Sequence, residues 1–426
     1  MYNIETISCA DLLNEKAVKA TLSNGFTVYV YPMPLKQSVY ALLSADIGST
    51  TREFSLGGRQ VNVPSGVAHF LEHKMFESEK GDAFELFAKT GASANAYTSF
   101  ERTCFLFSSS INVPQSLEIL LSFVAEPYFT DETVKKEQGI IAQEIKMYDD
   151  SPDWQLALTL LKNLYVSHPV REDIAGTVDS IAEITPQVLY DCYNAFYRPE
   201  KMTLCVAGNI EPEVVFEIAE RAYGSKKNVG GDVVCKKTVE PQDVTRAFSL
   251  LEMNISMPQF ALGFKHTPTP QSEKAMMSVA SRMLASLLVG DTTEFYRDMY
   301  DGGLLNETFD ASTMDGQDFC CSAFSGESAQ PEKAAELIKN QIKKIQREGF
   351  DQKRFEELRR ALIGSEICVF DSAEAIATRM MEAHYRGYSI FDMLSCVKSV
   401  TADDVSRLLD RFSDVYSSLV IMRPKA

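Results

Sequence analysis

Residues 66–77 read Gly66-Val67-Ala68-His69-Phe70-Leu71-Glu72-His73-Lys74-Met75-Phe76-Glu77. Only five histidines occur in the 426 residues, and two of them stand here four apart, with a glutamate directly before the second. Val67, Phe70 and Leu71 give an apolar stripe and Pro64-Ser65 a start signal, so the pattern predicts a helix over 66–76. Positions i and i+4 of a helix share a face, which lets both imidazoles reach one metal ion. Glu72, three residues beyond His69, projects from the same side. The order is H-x-x-E-H, the inverse of the commoner H-E-x-x-H, and it describes a zinc site with a base beside it.

A hydrolytic zinc site takes three protein ligands and leaves one position open. The best third candidate lies within residues 132–149, where Val134, Ile140, Ile141, Ile145 and Tyr148 recur at helical spacing. Glu144 is expected on the face of Ile140, Ile141 and Tyr148, with Glu137 two turns earlier. A carboxylate on an inward apolar face is costly unless a cation meets it. Asp149, Asp150 and Asp153 cluster at the end of the same segment, and spacing alone leaves them open as alternatives.

The composition is that of a globular protein, with 45% hydrophobic and 24% charged residues. A net charge of −17 argues against nucleic acid as a partner, because a phosphate backbone would be repelled. The nine cysteines are scattered, odd in number and never in C-x-x-C, so a reducing compartment fits better than a disulfide framework. The vicinal Cys320-Cys321 reads as two strand residues facing opposite ways. No uncharged apolar run is long enough to span a bilayer, and Met1 to Thr6 lacks the basic and apolar regions of a leader. A cytoplasmic protein with no membrane contact is expected.

Residues 181–206 and 397–422 form an internal repeat at an offset of 216, matching Ile184 with Val400, Thr185 with Thr401, Phe196 with Phe412 and Leu204 with Val420. Val188 against Asp404 is a mismatch, so the likeness is one of pattern. Each copy reads as a Thr-capped helix followed by an apolar strand. The polar, glycine-rich stretch from Gly224 to Asp232 marks a boundary. The expected organisation is a metal-bearing half over 1–225, a linker over 226–245 and a structurally similar half over 246–426. Strands open each half, Thr27 to Tyr31 in the first and Ala261 to Phe264 in the second. Strands and helices mix without strict βαβ alternation, which predicts an α+β fold.

The 66–77 stretch resembles the active-site helix of the pitrilysin/insulinase family of inverted-motif zinc peptidases. The resemblance spans both halves. It implies two homologous halves, each a mostly antiparallel sheet with helices packed on one face, forming a clamshell. It also implies that His69, His73 and Glu144 hold Zn²⁺ and that Glu72 activates water as general base. Glu137, seven residues before the ligand glutamate, would orient a ligand histidine through its other ring nitrogen. The segment 91–100 runs into a strand from Thr103 to Phe107. In the family a strand at this place pairs with the extended substrate, which would bring Asn95, Ala96 and Tyr97 near the peptide backbone.

The chain departs from the family pattern in its second half. Family members that act alone carry an Arg and, seven residues later, a Tyr that contact the substrate carbonyl. Here one register offers Arg297 and Leu304, the other Met299 and Asn306, and neither keeps the pair. "GVAHFLEHKMFE" and "YDGGLLNETF" are similar to the zinc-bearing subunit of bacterial two-chain members. The resemblance therefore implies a zinc-dependent metalloendopeptidase of short or unfolded peptides, working as a heterodimer with a paralogous subunit. Two other readings stay open: an active homodimer that uses Arg297 or Arg102 instead, and a non-catalytic structural or binding subunit of a peptidase-like complex.

Overall fold

The computed structural model describes residues 2–8, 15–79 and 81–425, and its fold is α+β. Cys9 lies outside the described residues. By Cα proximity the chain forms two compact units. The first comprises Met1–Ile145, Asp173–Lys236 and Cys368–Phe391; the second comprises Lys146–Glu172, Lys237–Ile367 and Asp392–Ala426.

The first unit is built on a sheet of seven strands: β1 (Tyr2–Ser8), β2 (Lys16–Leu22), β3 (Thr27–Pro32), β4 (Val39–Ala45), β5 (Ser93–Thr98), β6 (Thr103–Ser109) and β7 (Met202–Gly208). Their spatial order is β1-β2-β3-β7-β4-β6-β5, antiparallel except for β3 with β7. On one face Val28, Val30, Leu43, Phe105, Leu204 and Val206 pack in a core that includes Phe70 and Leu71 of the motif helix. The pleat turns the alternate residues Tyr29, Tyr31, Leu42 and Cys205 to the other face. There they meet Ile376, Ala377, Met380 and Met381 of the helix Ala373–Arg386, far along the chain. With helices on both faces, the central strands β4 and β7 are buried at every position. β5 ends the sheet and alternates exposed with half-buried residues.

The second unit holds β8 (Phe248–Met253), β9 (Gln259–His266), β10 (Asp310–Asp315), β11 (Cys320–Glu327) and β12 (Ser417–Pro424), in the order β8-β12-β9-β11-β10. This repeats β3-β7-β4-β6-β5 of the first sheet, including the single parallel pair β8 with β12. The duplication expected from sequence is thus present in the topology. Thr185 and Thr401 cap the helices that precede β7 and β12, each accepting from the backbone N–H three residues on. The second sheet opens earlier than expected, on β8. Phe248 and Leu250 are exposed there, and that outward-facing apolar pattern hid the strand. Cys320 and Cys321 are successive residues of β11, so the pleat turns their side chains to opposite faces. None of the eight described cysteines forms a disulfide.

The helix Pro152–Leu164 lies on the second unit's sheet, against β9 and β12. Gly263 makes this approach possible, since a Cβ there would come within 2.9 Å of both Leu160 and Leu164. Just beyond, Lys265 and Glu240 form an ion pair at 2.5 Å, with side-chain exposures of 5% and 10%. Glu240 also accepts from the backbone N–H groups of Val166, Ser167 and His168. The Lys265 ammonium donates in addition to the Pro241 and Asp243 carbonyls and sits 5.0 Å over the Tyr165 ring. Among the described residues, no helix is long and apolar enough to cross a membrane.

Candidate metal centre

The motif helix runs Val67–Met75, one residue inside the expected limits at each end. Gly66 caps it with φ of 87°, a left-handed conformation that favours glycine. A Cβ on Gly66 would meet the Ala175 carbonyl oxygen at 2.3 Å. Gly66→Ala is therefore expected to cost about 1–3 kcal/mol for the backbone conformation alone, with the clash adding to it. Denaturant unfolding measures the loss; an unchanged midpoint would contradict this account of the cap.

His69 and His73 stand one turn apart with ring centroids at 4.6 Å. The second element is the helix Asp131–Asp149. Its buried residues are Val134, Glu137, Ile141 and Ile145, whereas Ile140 and Tyr148 are 46% and 36% exposed. The face expected for Glu144 is thereby corrected. Glu137 belongs to the inward stripe, and Glu144 is half-buried at its margin. His69 Nε2 lies 3.7 Å from Glu144 Oε1, and His73 Nε2 lies 3.4 Å from Glu144 Oε2. His73 Nδ1 is 3.0 Å from Glu137 Oε1. A carboxylate only accepts, so Nδ1 carries the proton and Nε2 is left to face Glu144.

His69, His73 and Glu144 are the one potential metal-binding cluster among the described residues, each offering an atom within 4.8 Å of the others. Tetrahedral zinc with bonds of about 2.0–2.1 Å places its ligands roughly 3.4 Å apart, so the donor types and spacings fit. Asp149 and Asp150 are exposed at the helix end, and Asp153 accepts from Gln259, so the alternatives do not join the histidines.

Glu72 is only 8% exposed, and its Oε2 accepts a 2.6 Å hydrogen bond from Thr98 Oγ1. Burial pushes its carboxyl above the usual range, against the lowering effect of the Thr98 hydroxyl. His69 is driven down by burial and then by its neighbour His73. Burial alone would also depress His73, but hydrogen bonds to Glu137 and Glu144 hold it up. Glu144 is held low, first by its hydrogen bond with His73.

Thr98 escaped the sequence reading. The available signal was its parity: on β5 it shares a face with Ala94 and Ala96, which pack toward the motif-helix core, and a hydroxyl there needs a partner. Of the residues expected near substrate, Ala96 lies on this face. Asn95 and Tyr97 have the opposite parity, and Tyr97 sits directly across from Cys104 of the other core. In the second unit Arg297 is exposed, Met299 and Leu304 are buried, and Asn306 donates to Glu327. Arg102, in the first unit, is committed to Asp46 at 3.0 Å and stacks 3.9 Å over Tyr385.

Residues 56–178 match the family profile described as "Insulinase (Peptidase family M16)", and residues 183–362 match "Peptidase M16 inactive domain". The chain belongs to peptidase family M16, the pitrilysin/insulinase family. It is 37% identical over 402 residues to the "Uncharacterized zinc protease YmfH" of Bacillus subtilis (strain 168), covering 93% of this chain and 94% of that protein. Among solved structures, a putative M16-like peptidase from Alicyclobacillus acidocaldarius superposes with a TM-score of 0.93 at 29% identity, over 100% of this chain and 99% of that one. Pitrilysin shares the fold with a TM-score of 0.78 at 18% identity; all of this chain covers 46% of that one.

Proposed function

We propose that the chain is a zinc metalloendopeptidase of short or unfolded peptides, with Zn²⁺ held by His69, His73 and Glu144. The observation that carries this is the convergence of two imidazole nitrogens and one carboxylate beside a buried Glu72. Zinc bound there would supply Lewis acidity, polarising the scissile carbonyl and making water a stronger acid. Glu72 takes the proton from the attacking water and passes it to the leaving amine. Glu137 fixes the tautomer and orientation of His73 through Nδ1. The free edge of β5 receives the peptide as an added strand, beside the Glu72 carboxylate.

Metal analysis of the purified chain tests the ligand set. Near-stoichiometric zinc is expected, and Glu144→Gln should remove most of it; zinc retained in that variant would reassign the third ligand.

The oxyanion of the transition state needs donors, often each contributing a few kcal/mol. Arg297 on an exposed helix and a buried Leu304 do not supply the Arg–Tyr pair, which favours a paralogous partner subunit as its source. The isolated chain is expected to cleave peptides weakly and to gain on addition of the partner. Full turnover by the isolated chain would remove the need for one.

A further inference from the structure

Thr98 closes the edge strand β5 and faces Thr103 across the ladder. Its Oγ1 donates to Glu72 Oε2 at 2.6 Å, across 26 residues of sequence. The strand conformation restricts χ1 of a β-branched residue, so the hydroxyl is held in place by the backbone of β5 itself. The motif helix packs directly on this strand. One oxygen of Glu72 is therefore anchored to the strand that, on the function proposed above, also receives the substrate.

We propose that Thr98 is a positioning residue for peptide hydrolysis: by holding Oε2 it fixes the plane of the Glu72 carboxylate and leaves Oε1 to accept the proton of the attacking water. Because the anchor lies on β5, a peptide paired to that strand and the base that acts on it share one rigid frame. General-base transfer depends on keeping the acceptor within about 0.5 Å of its productive place, so losing the anchor lowers turnover more than binding.

A purely structural role is the competing explanation, and the second unit shows what that looks like. Asp315 holds the equivalent place at the end of β10, facing Cys320 as Thr98 faces Thr103. It lies 3.4 Å from the ammonium of the buried Lys274, at the start of the helix Lys274–Val289, and so tethers a helix to a strand end. The experiment must therefore separate positioning from tethering.

Thr98→Val keeps the shape and removes the donor; Thr98→Ser keeps the donor. Both are compared with the unsubstituted, zinc-loaded full chain for zinc content, thermal midpoint, kcat and KM on an unstructured peptide. The expected result for Thr98→Val is a kcat lower by about 10- to 100-fold with zinc, midpoint and KM little changed, and recovery of most of kcat in Thr98→Ser. Undiminished kcat in Thr98→Val overturns the proposal while leaving the peptidase reading intact. So does a loss that follows zinc content or folding, including a Thr98→Val chain that does not fold. An unsubstituted chain that holds zinc and cleaves no peptide even with the paralogous partner subunit added overturns both.

Discussion

Glu72→Gln is expected to lower kcat for peptide cleavage by about 100- to 10,000-fold while zinc remains bound, the range that general acid–base groups contribute. Glutamine keeps the size and the capacity to accept from Thr98 Oγ1, so the 2.6 Å contact has no steric reason to break. What disappears is a group able to take a proton. Burial has already raised the affinity of the Glu72 carboxyl for protons, which suits a base that must receive one and deliver it to an amine. Glu72 is separate from the three residues proposed to hold the ion. Metal content should therefore be unchanged, in contrast to Glu144→Gln. Measuring zinc and turnover on the same preparation separates the two roles, and persistent turnover in Glu72→Gln would rule out this residue as the base.

Lys265→Met is expected to destabilise the protein by about 3–5 kcal/mol, because it leaves the Glu240 carboxylate buried without its cation. Three backbone N–H groups continue to hold Glu240, but the charge loses its neutralising partner. The pH dependence follows. Burial alone would raise the Glu240 carboxyl, but Lys265 and the backbone donors bring it below the ordinary value. A carboxyl depressed in the folded state contributes stability above its unfolded pKa of about 4.3, and that contribution is lost as pH falls through the folded value. Removing Lys265 leaves burial less opposed, so protonating Glu240 costs the variant less, and the stability gap between variant and parent chain should narrow as pH falls. Urea titrations at neutral and mildly acidic pH check both statements. A stability gap of the same size at both pH values would show that this pair is not what holds the Glu240 carboxyl low.

The motif helix was legible because its signal is local: two histidines and a glutamate on one turn, bounded by a start signal and an apolar stripe. The repeat was legible for the same reason, since Thr185 and Thr401 announce their own helices. Strand order was not. β7 inserts between β3 and β4, and nothing in the neighbourhood of residue 202 records a partner near residue 27. Glu144 was reached from a stripe whose direction was misassigned. On the helix Asp131–Asp149, Ile140 and Ile141 are adjacent, and apolar character alone does not say which of two neighbouring rows turns inward. Thr98 was passed over because its partner lies on another element, and a lone threonine in a strand has an ordinary explanation in β-propensity. The exchange that lays Pro152–Leu164 on the second unit's sheet and Ala373–Arg386 on the first unit's is likewise a tertiary fact with no local signature.

The helix Ala373–Arg386 also constrains how the molecule is made. Tyr29, Tyr31 and Leu42 emerge early in synthesis, yet the residues that cover them come more than three hundred positions later. The region of the candidate metal site cannot mature on the ribosome as its own stretch is translated; its back layer waits for nearly the whole polypeptide. Such long-range closure is slow and leaves apolar surface open to aggregation meanwhile. A shortened gene product ending before Ala373 would retain every residue proposed for catalysis and still lack the layer that seals the sheet beneath them.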